Sequence, residues 1–153
     1  MDVQFRQAVE GDLESMQGIA THTIDMNYRS FFDDEAVDWF ISGPSDEYLR
    51  ENVHDATVVM VDGSVVGFAV CKGDLLDLLV INHESHGRGL GSVLLAHCES
   101  ELFRRHESIT LQSFEGNSKA NRFYRKRGWV RIGVVPDSMS GARKWILEKK
   151  RDR

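Results

Sequence analysis

Three glycines in five residues, Gly87, Gly89 and Gly91, join an almost wholly apolar run, Leu75–Ile81, to a stretch with apolar residues at Leu90, Val93, Leu94, Cys98 and Leu102. The run is too short for a stable helix flanked in this way and reads as a strand buried on both faces. The later spacing is one face of a helix. Glycines at the join let the backbone turn tightly and approach a ligand with no Cβ in the way. A helix that starts there presents unpaired N–H groups beside the positive end of its dipole, an anion site whose usual occupant is phosphate. Two familiar phosphate loops fail on spacing. The dinucleotide pattern G-x-G-x-x-G needs a third glycine, and that position holds Ser92 counted from Gly87 or Leu94 counted from Gly89. A P-loop needs Lys followed by Ser or Thr after its last glycine, and that pair does not follow. His83 and His86 gather no further ligands nearby, so they read as solvated loop histidines, and no metal is expected. Cys71 and Cys98, one in a strand-like run and one on a helical stripe, read as free buried thiols.

The surrounding pattern supplies the elements that must position this loop. Strands are expected over residues 3–6, 57–61, 65–71, Leu75–Ile81, Ser108–Phe114, 129–134 and 142–148. Asp62-Gly63 between the second and third offers the positive φ angles of a tight hairpin. A first helix starts at Gly11-Asp12 and carries Leu13, Met16, Ile19 and Ala20; a second covers residues 31–41 and stops at Gly43-Pro44. A short third helix fits within residues 45–53. The helix from Leu90 runs to about residue 105, and another starts at Asn117 or Ser118 and ends at Lys126 before Gly128. The chain reads as α/β or α+β with a mixed sheet, in one domain over residues 1–153, with only the terminal KKRDR frayed.

His86-Gly87-Arg88-Gly89-Leu90-Gly91 resembles the R/Q-x-x-G-x-G/A loop of the GNAT N-acetyltransferase superfamily, whose backbone amides hold the pyrophosphate of acetyl-CoA. Residues 117–129, NSKANRFYRKRGW, are similar to that family's second signature, and residues 5–13, FRQAVEGDL, to its usual opening. The three segments stand in the family's order and span most of the chain. The resemblance implies a mixed, mostly antiparallel sheet of about six or seven strands flanked by helices, in the order β1-α1-α2-β2-β3-β4-α3-β5-α4-β6-β7. It implies an acetyl-CoA dependent N-acetyltransferase in which the amine attacks the thioester directly within a ternary complex. On this footing Leu79, Val80 and Ile81 present backbone groups to the pantetheine arm, and His86, Gly87, Arg88, Gly89, Leu90, Gly91 and Ser92 hold the pyrophosphate. Tyr124 occupies the general-acid position, and Asn117 bonds the cosubstrate, caps its helix, or does both. His86 stands where the family prefers Arg or Gln, which makes that phosphate contact weaker or pH dependent, with Arg88 placed to compensate. Asp77 is the first candidate for the base, through water, and Asp74 the second; a structural carboxylate is the commoner role for each. Relatives that act on protein N-termini carry Glu five residues before the motif Asn. Here that residue is Gln112, which cannot be a base, so that subgroup's mechanism does not carry over.

Charge is unevenly spread within a net of -5. Residues 25–55 hold nine acids against Arg29 and Arg50, and residues 119–153 hold twelve Lys or Arg against three acids. The acidic stretch falls where the family builds its acceptor wall, so Tyr28, Phe31, Phe32, Asp34, Glu35 and Trp39 are expected to line a site for a cationic amine. A solvated face over an apolar stripe explains the same residues. The expected acceptor is a small-molecule or protein amine. The basic third lacks interleaved aromatics on a nucleic-acid module, which speaks against RNA. Two other readings compete: a non-catalytic acyl-CoA binding or sensing module, and an RNA- or protein-directed acetyltransferase. No apolar run approaches a membrane span and MDVQFRQAVE is not a signal peptide, so a cytoplasmic protein is expected. The family resemblance implies homodimers as a common state.

Overall fold

Asp62 and Gly63 take φ angles of 51° and 86°, closing the hairpin that their types foretell. The computed structural model describes residues 2–152. Seven strands form one sheet: β1 (Val3–Gln7), β2 (Ala56–Val61), β3 (Ser64–Lys72), β4 (Leu75–Ile81), β5 (Ser108–Phe114), β6 (Val130–Pro136) and β7 (Arg143–Lys150). Their spatial order is β1-β2-β3-β4-β5-β7-β6, antiparallel throughout except where β4 meets β5. Five helices flank it: α1 (Leu13–Asn27), α2 (Asp34–Ile41), α3 (Pro44–Asn52), α4 (Leu90–Phe103) and α5 (Ser118–Lys126). The class is the α/β architecture with a mixed, mostly antiparallel sheet that the sequence implies. The order differs in one respect, because the short helix α3 stands as a full element between α2 and β2.

The middle of the sheet, β2 and β3 above all, is buried on both faces, and strand periodicity divides its side chains between two cores. On β3, Phe68 and Val70 join Met16, Leu49 and Val53 beneath α1 and α3, while Ala69 turns to Leu90, Leu94 and Cys98 of α4. The α4 core also takes Ile109, Leu111, Trp129 and Leu147. Thus the apolar stripe of α4 tethers the glycine loop to the middle of the sheet.

Most boundaries shift by a residue or two, and two departures have a clear physical cause. The second helix begins at Asp34 and not at residue 31, because Asp33 turns its carboxylate to the Ala36 amide at 2.8 Å and caps it. Phe31 and Phe32 instead follow a 3-10 turn, Tyr28–Ser30, and press into an aromatic cluster with Tyr28, Phe40 and Phe114. The C-terminal lysines are not frayed either. β7 continues to Lys150, Lys149 Nζ meets Glu99 Oε1 at 2.6 Å, and the Arg151 amide donates to the Glu107 carbonyl at 2.7 Å. Arg153 lies outside the described residues.

The opening segment is locked by Arg6, whose guanidinium grips Asp12 through contacts of 2.7 and 2.9 Å, while the Val9 amide donates to the same carboxylate at 2.8 Å. The Arg6 hydrogen bonds hold the Asp12 carboxyl below the usual carboxylate range. A depressed carboxylate stabilises the folded state above its ordinary pKa, about 3.9, and loses that contribution as pH falls through the lower folded value. Asp12→Asn is therefore expected to lower Tm near neutral pH. Thermal melts down to about pH 3 should show the gap to the unsubstituted protein closing.

Candidate active site

β4 and β5 run parallel but pair only at Leu75 with Thr110 and Leu76 with Leu111. On its other side β4 changes register against β3: Val70 faces Leu78 but Cys71 faces Leu76, leaving Asp77 as the extra residue of a bulge. A bulge bends the strand that carries it. Past it, β4 has no strand on its β5 side, and Leu78, Leu79, Val80 and Ile81 form one wall of a cleft of about 370 Å³. Ala20, Thr23, Ile24, Asn27 and Tyr28 of α1 face it, with Ser45 of α3. Ser85, His86, Gly87, Gly89, Leu90, Gly91 and Ser92 close one end, and Asn117, Lys119, Ala120, Phe123, Tyr124 and Arg127 line the α5 side. An open strand edge of this kind offers N–H and C=O groups to an extended, amide-bearing ligand as to an added strand.

At the loop end, Gly87 and Gly89 adopt φ angles of 81° and 78°, a region that side chains with a Cβ disfavour. α2 and α5 begin with side-chain caps from Asp33 and Asn117, whereas α4 has none. Its first amides, at Leu90 to Ser92, therefore sit at the cleft with no side-chain cap among the described residues, beside the helix dipole. The His86 ring is turned back on its own loop, with Nε2 2.8 Å from the Ile81 carbonyl. Arg88 is not among the residues that line the cleft; Lys119 and Arg127 are.

Two phenols face the cleft from opposite sides, Tyr28 at the end of α1 and Tyr124 on α5. Burial pushes the Tyr28 phenol up to about 12, with the charge of Asp137 adding to the effect. Burial likewise raises Tyr124 well above the usual tyrosine range, helped by neighbouring Tyr28 and Cys98. Both remain protonated near neutral pH. The Tyr124 ring packs edge-on against Phe123 and Trp129, with centroids 5.2 and 6.2 Å away. Its hydroxyl bonds to no other group among the described residues.

The acidic wall expected from residues 25–55 takes another form. Arg29 draws Asp25, Asp34 and Asp38 to itself at 2.6, 2.7 and 2.9 Å, so three of the carboxylates neutralise one guanidinium. Of the six residues expected to hold an acceptor, Tyr28 lines the cleft and Phe31, Phe32, Asp34, Glu35 and Trp39 do not. No carboxylate lines it among the described residues. Asp77 stands next to Leu78 but turns toward α3, where the Tyr48 hydroxyl donates to its carboxylate and Lys72 Nζ lies 3.9 Å away. Burial, followed by the bond to Asp77, raises the Tyr48 phenol far above its usual range, so Tyr48 stays a donor. Gln112 is exposed on β5, paired with Ile146.

A family model described as the acetyltransferase (GNAT) family matches residues 20–129. The chain belongs to the GNAT acetyltransferase family. Solved GNAT structures share the fold at low identity. A GCN5-related N-acetyltransferase from Rhodopseudomonas palustris superposes with a TM-score of 0.85 at 20% identity, over 99% of this chain and 97% of that one. The PaiA N-acetyltransferase of Thermoplasma acidophilum, solved in complex with coenzyme A, gives 0.79 at 21% identity over 99% and 100%. Apo YjaB from Escherichia coli gives 0.77 at 22% identity over 97% and 96%. No curated protein matches the chain.

In this GNAT, reading the sequence alone overlooks the α1 wall and Arg127. Thr23, Ile24 and Asn27 reach the cleft from the turns just before Tyr28, a face that the helix's apolar pattern does not single out. Arg127 follows Phe123 by four residues, so their shared helix face was the available signal.

Proposed function

We propose that this GNAT acetyltransferase moves an acetyl group from acetyl-CoA to a primary amine by direct attack in a ternary complex. The observation that carries this reading is the open edge of β4, which runs from the Asp77 bulge to the uncapped first turn of α4. Its spare strand groups suit the amides of a pantetheine arm, and the free helix amides suit a pyrophosphate. Leu79, Val80 and Ile81 serve the first, and the backbone of residues 86–92, in place of the His86 ring or the Arg88 side chain, serves the second. Asn117, whose side chain already caps α5 through the Ala120 amide at 3.2 Å, retains an amide donor for the cosubstrate.

In this mechanism the amine nitrogen bonds to the thioester carbon while the carbon–sulfur bond breaks. Tyr124 donates its hydroxyl proton toward the departing sulfur. The amine's surplus proton passes through water to Asp77, which lies behind the cleft wall at Leu78 with its carboxylate held by Tyr48 on the α3 side, and returns through water to the Tyr124 oxygen as the products leave. The products are the amide and free CoA thiol. An acetyl-cysteine intermediate has no support, because neither Cys71 nor Cys98 is among the residues lining the cleft. The bond with Cys71 and burial also raise the Cys98 thiol far above its usual range. The acceptor in this reading is a small-molecule or protein amine, the setting is cytoplasmic, and gel filtration tests for a homodimer. No helix among the described residues is long and apolar enough to cross a membrane.

Calorimetric titration and turnover with an amine panel test the reading together. Micromolar binding of acetyl-CoA, about -8 kcal/mol, is expected, with no binding of a nicotinamide dinucleotide and with thioester loss that depends on the amine. A protein that does not bind acetyl-CoA overturns the proposal. The cleft's lack of a lining carboxylate favours a second reading, a non-catalytic acyl-CoA module, and binding without amine-dependent turnover would establish it. Asp77→Asn should cut kcat/KM about 100-fold if Asp77 receives the proton. An unchanged value would make it a structural partner of Tyr48.

A further inference from the structure

The loop of this GNAT carries His86 where the family prefers Arg or Gln, and that ring is committed to the Ile81 carbonyl. A cation reaches the same end of the cleft from the opposite side. Arg127, just past the C-terminal end of α5, lays its guanidinium 3.9 Å from the centre of the Phe123 ring. Its Nε donates to Ser92 Oγ at 3.3 Å and its Nη1 to the Phe123 carbonyl at 2.9 Å. Ser92 belongs to the first turn of α4, the turn whose amides lack a cap. Phe123 in turn packs on that turn: a Cβ at Gly91 would stand 3.6 Å from Phe123 Cζ. Helix turn, ring and guanidinium thus form one stack at the cleft wall.

Arg127 is half-buried and has no carboxylate partner among the described residues. Its Nη2 makes no hydrogen bond there. A guanidinium held through Nε and one Nη1 hydrogen, with Nη2 and the second Nη1 hydrogen unused among the described residues, can meet a phosphate through its terminal fork, and little side-chain entropy is left to lose. We infer that Arg127 is a cofactor-binding residue that clamps the pyrophosphate from the α5 side, supplying the side-chain contact that His86 does not. The inference rests on the acetyl-CoA reading and adds a residue outside the glycine loop to it.

The test is calorimetric titration of the full chain and its Arg127→Met and Arg127→Lys variants with CoA, 3′-dephospho-CoA and pantetheine. Methionine keeps an apolar stem on Phe123 and removes the fork. Arg127→Met should weaken CoA and 3′-dephospho-CoA by the same factor, roughly 10- to 100-fold, and leave pantetheine unaffected. Arg127→Lys should fall between, and in turnover the loss should appear in the KM for acetyl-CoA. Equal CoA affinity in Arg127→Met and the unsubstituted protein would overturn the clamp and leave Arg127 a staple between α4 and α5. A loss confined to CoA would assign it to the 3′-phosphate, and a loss shared by pantetheine would indicate a deformed cleft; either overturns the inference. Failure of the unsubstituted protein to bind CoA would overturn the acetyl-CoA reading itself.

Discussion

Replacing Tyr124 with Phe should lower kcat about 100-fold and leave acetyl-CoA affinity within a factor of about two. The change removes one oxygen and keeps the ring that packs on Phe123 and Trp129. No protein hydrogen bond is lost among the described residues, since the hydroxyl makes none. The whole deficit should therefore fall on the step in which sulfur departs. Burial raises this phenol's pKa, and that has two consequences. The proton stays in place through the neutral range, as a donor requires. The phenol is also a weaker acid, so its main service is a hydrogen bond that strengthens as negative charge grows on sulfur. The alkaline limb of the kcat profile should accordingly lie above about pH 10, the ordinary tyrosine value. A limb below it, retained in Tyr124→Phe, would assign the titration to another group. A variant with full kcat would remove Tyr124 from the chemistry and leave it a wall of the cleft.

The largest loss of stability is expected from Trp129→Ala, about 3–5 kcal/mol by urea unfolding. Trp129 is 2% exposed and packs in the α4 core with Leu94, Leu111 and Leu147. Its Nε1 donates to Glu99 Oε2 at 3.0 Å, and Lys149 meets the other carboxylate oxygen at 2.6 Å. Truncation opens a cavity and takes one of two partners from a carboxylate that is mostly buried. Trp129→Phe fills most of the volume and loses only the indole donor, so about 1–2 kcal/mol is expected. Equal losses in the two variants would mean that the hydrogen bond, and not the packing, dominates. Because the Trp129 ring also packs edge-on against Tyr124, with centroids 6.2 Å apart, the alanine variant should lose turnover along with stability.

Much of the fold was legible because its signals are local. The apolar runs of β3 and β4, Asp62-Gly63 and the Asn117 cap each act within a few residues, and each produced the expected element. The start of α2 shows the limit of such signals. Phe31 and Phe32 continue a helical apolar pattern, yet the nearby Asp33 cap and the distant aromatic ring of Phe114 draw them out of the helix. The terminal KKRDR reads as a frayed charged tail until Glu99 and Glu107, some fifty and forty-four residues earlier in the chain, are brought beside Lys149 and Arg151.

The candidate site divides in the same way. The glycine loop and the residues of the 117–129 signature could be singled out from spacing and resemblance, and the cleft gathers both around one edge of β4. The acidic stretch at 25–55 suggested a wall for a cationic amine, because composition counts charges and does not reveal that Arg29 satisfies three of them. Residue types and periodicity by themselves determined the elements, their class and the loop able to receive an anion. Only the tertiary structure decided that β4 parts from β5 at Asp77, that Tyr28 and Tyr124 face one cleft, and that Arg127 meets Ser92 at its wall. Those outcomes depend on register and on contacts between groups far apart in the chain, and the free energy of such contacts leaves no periodic trace in the sequence.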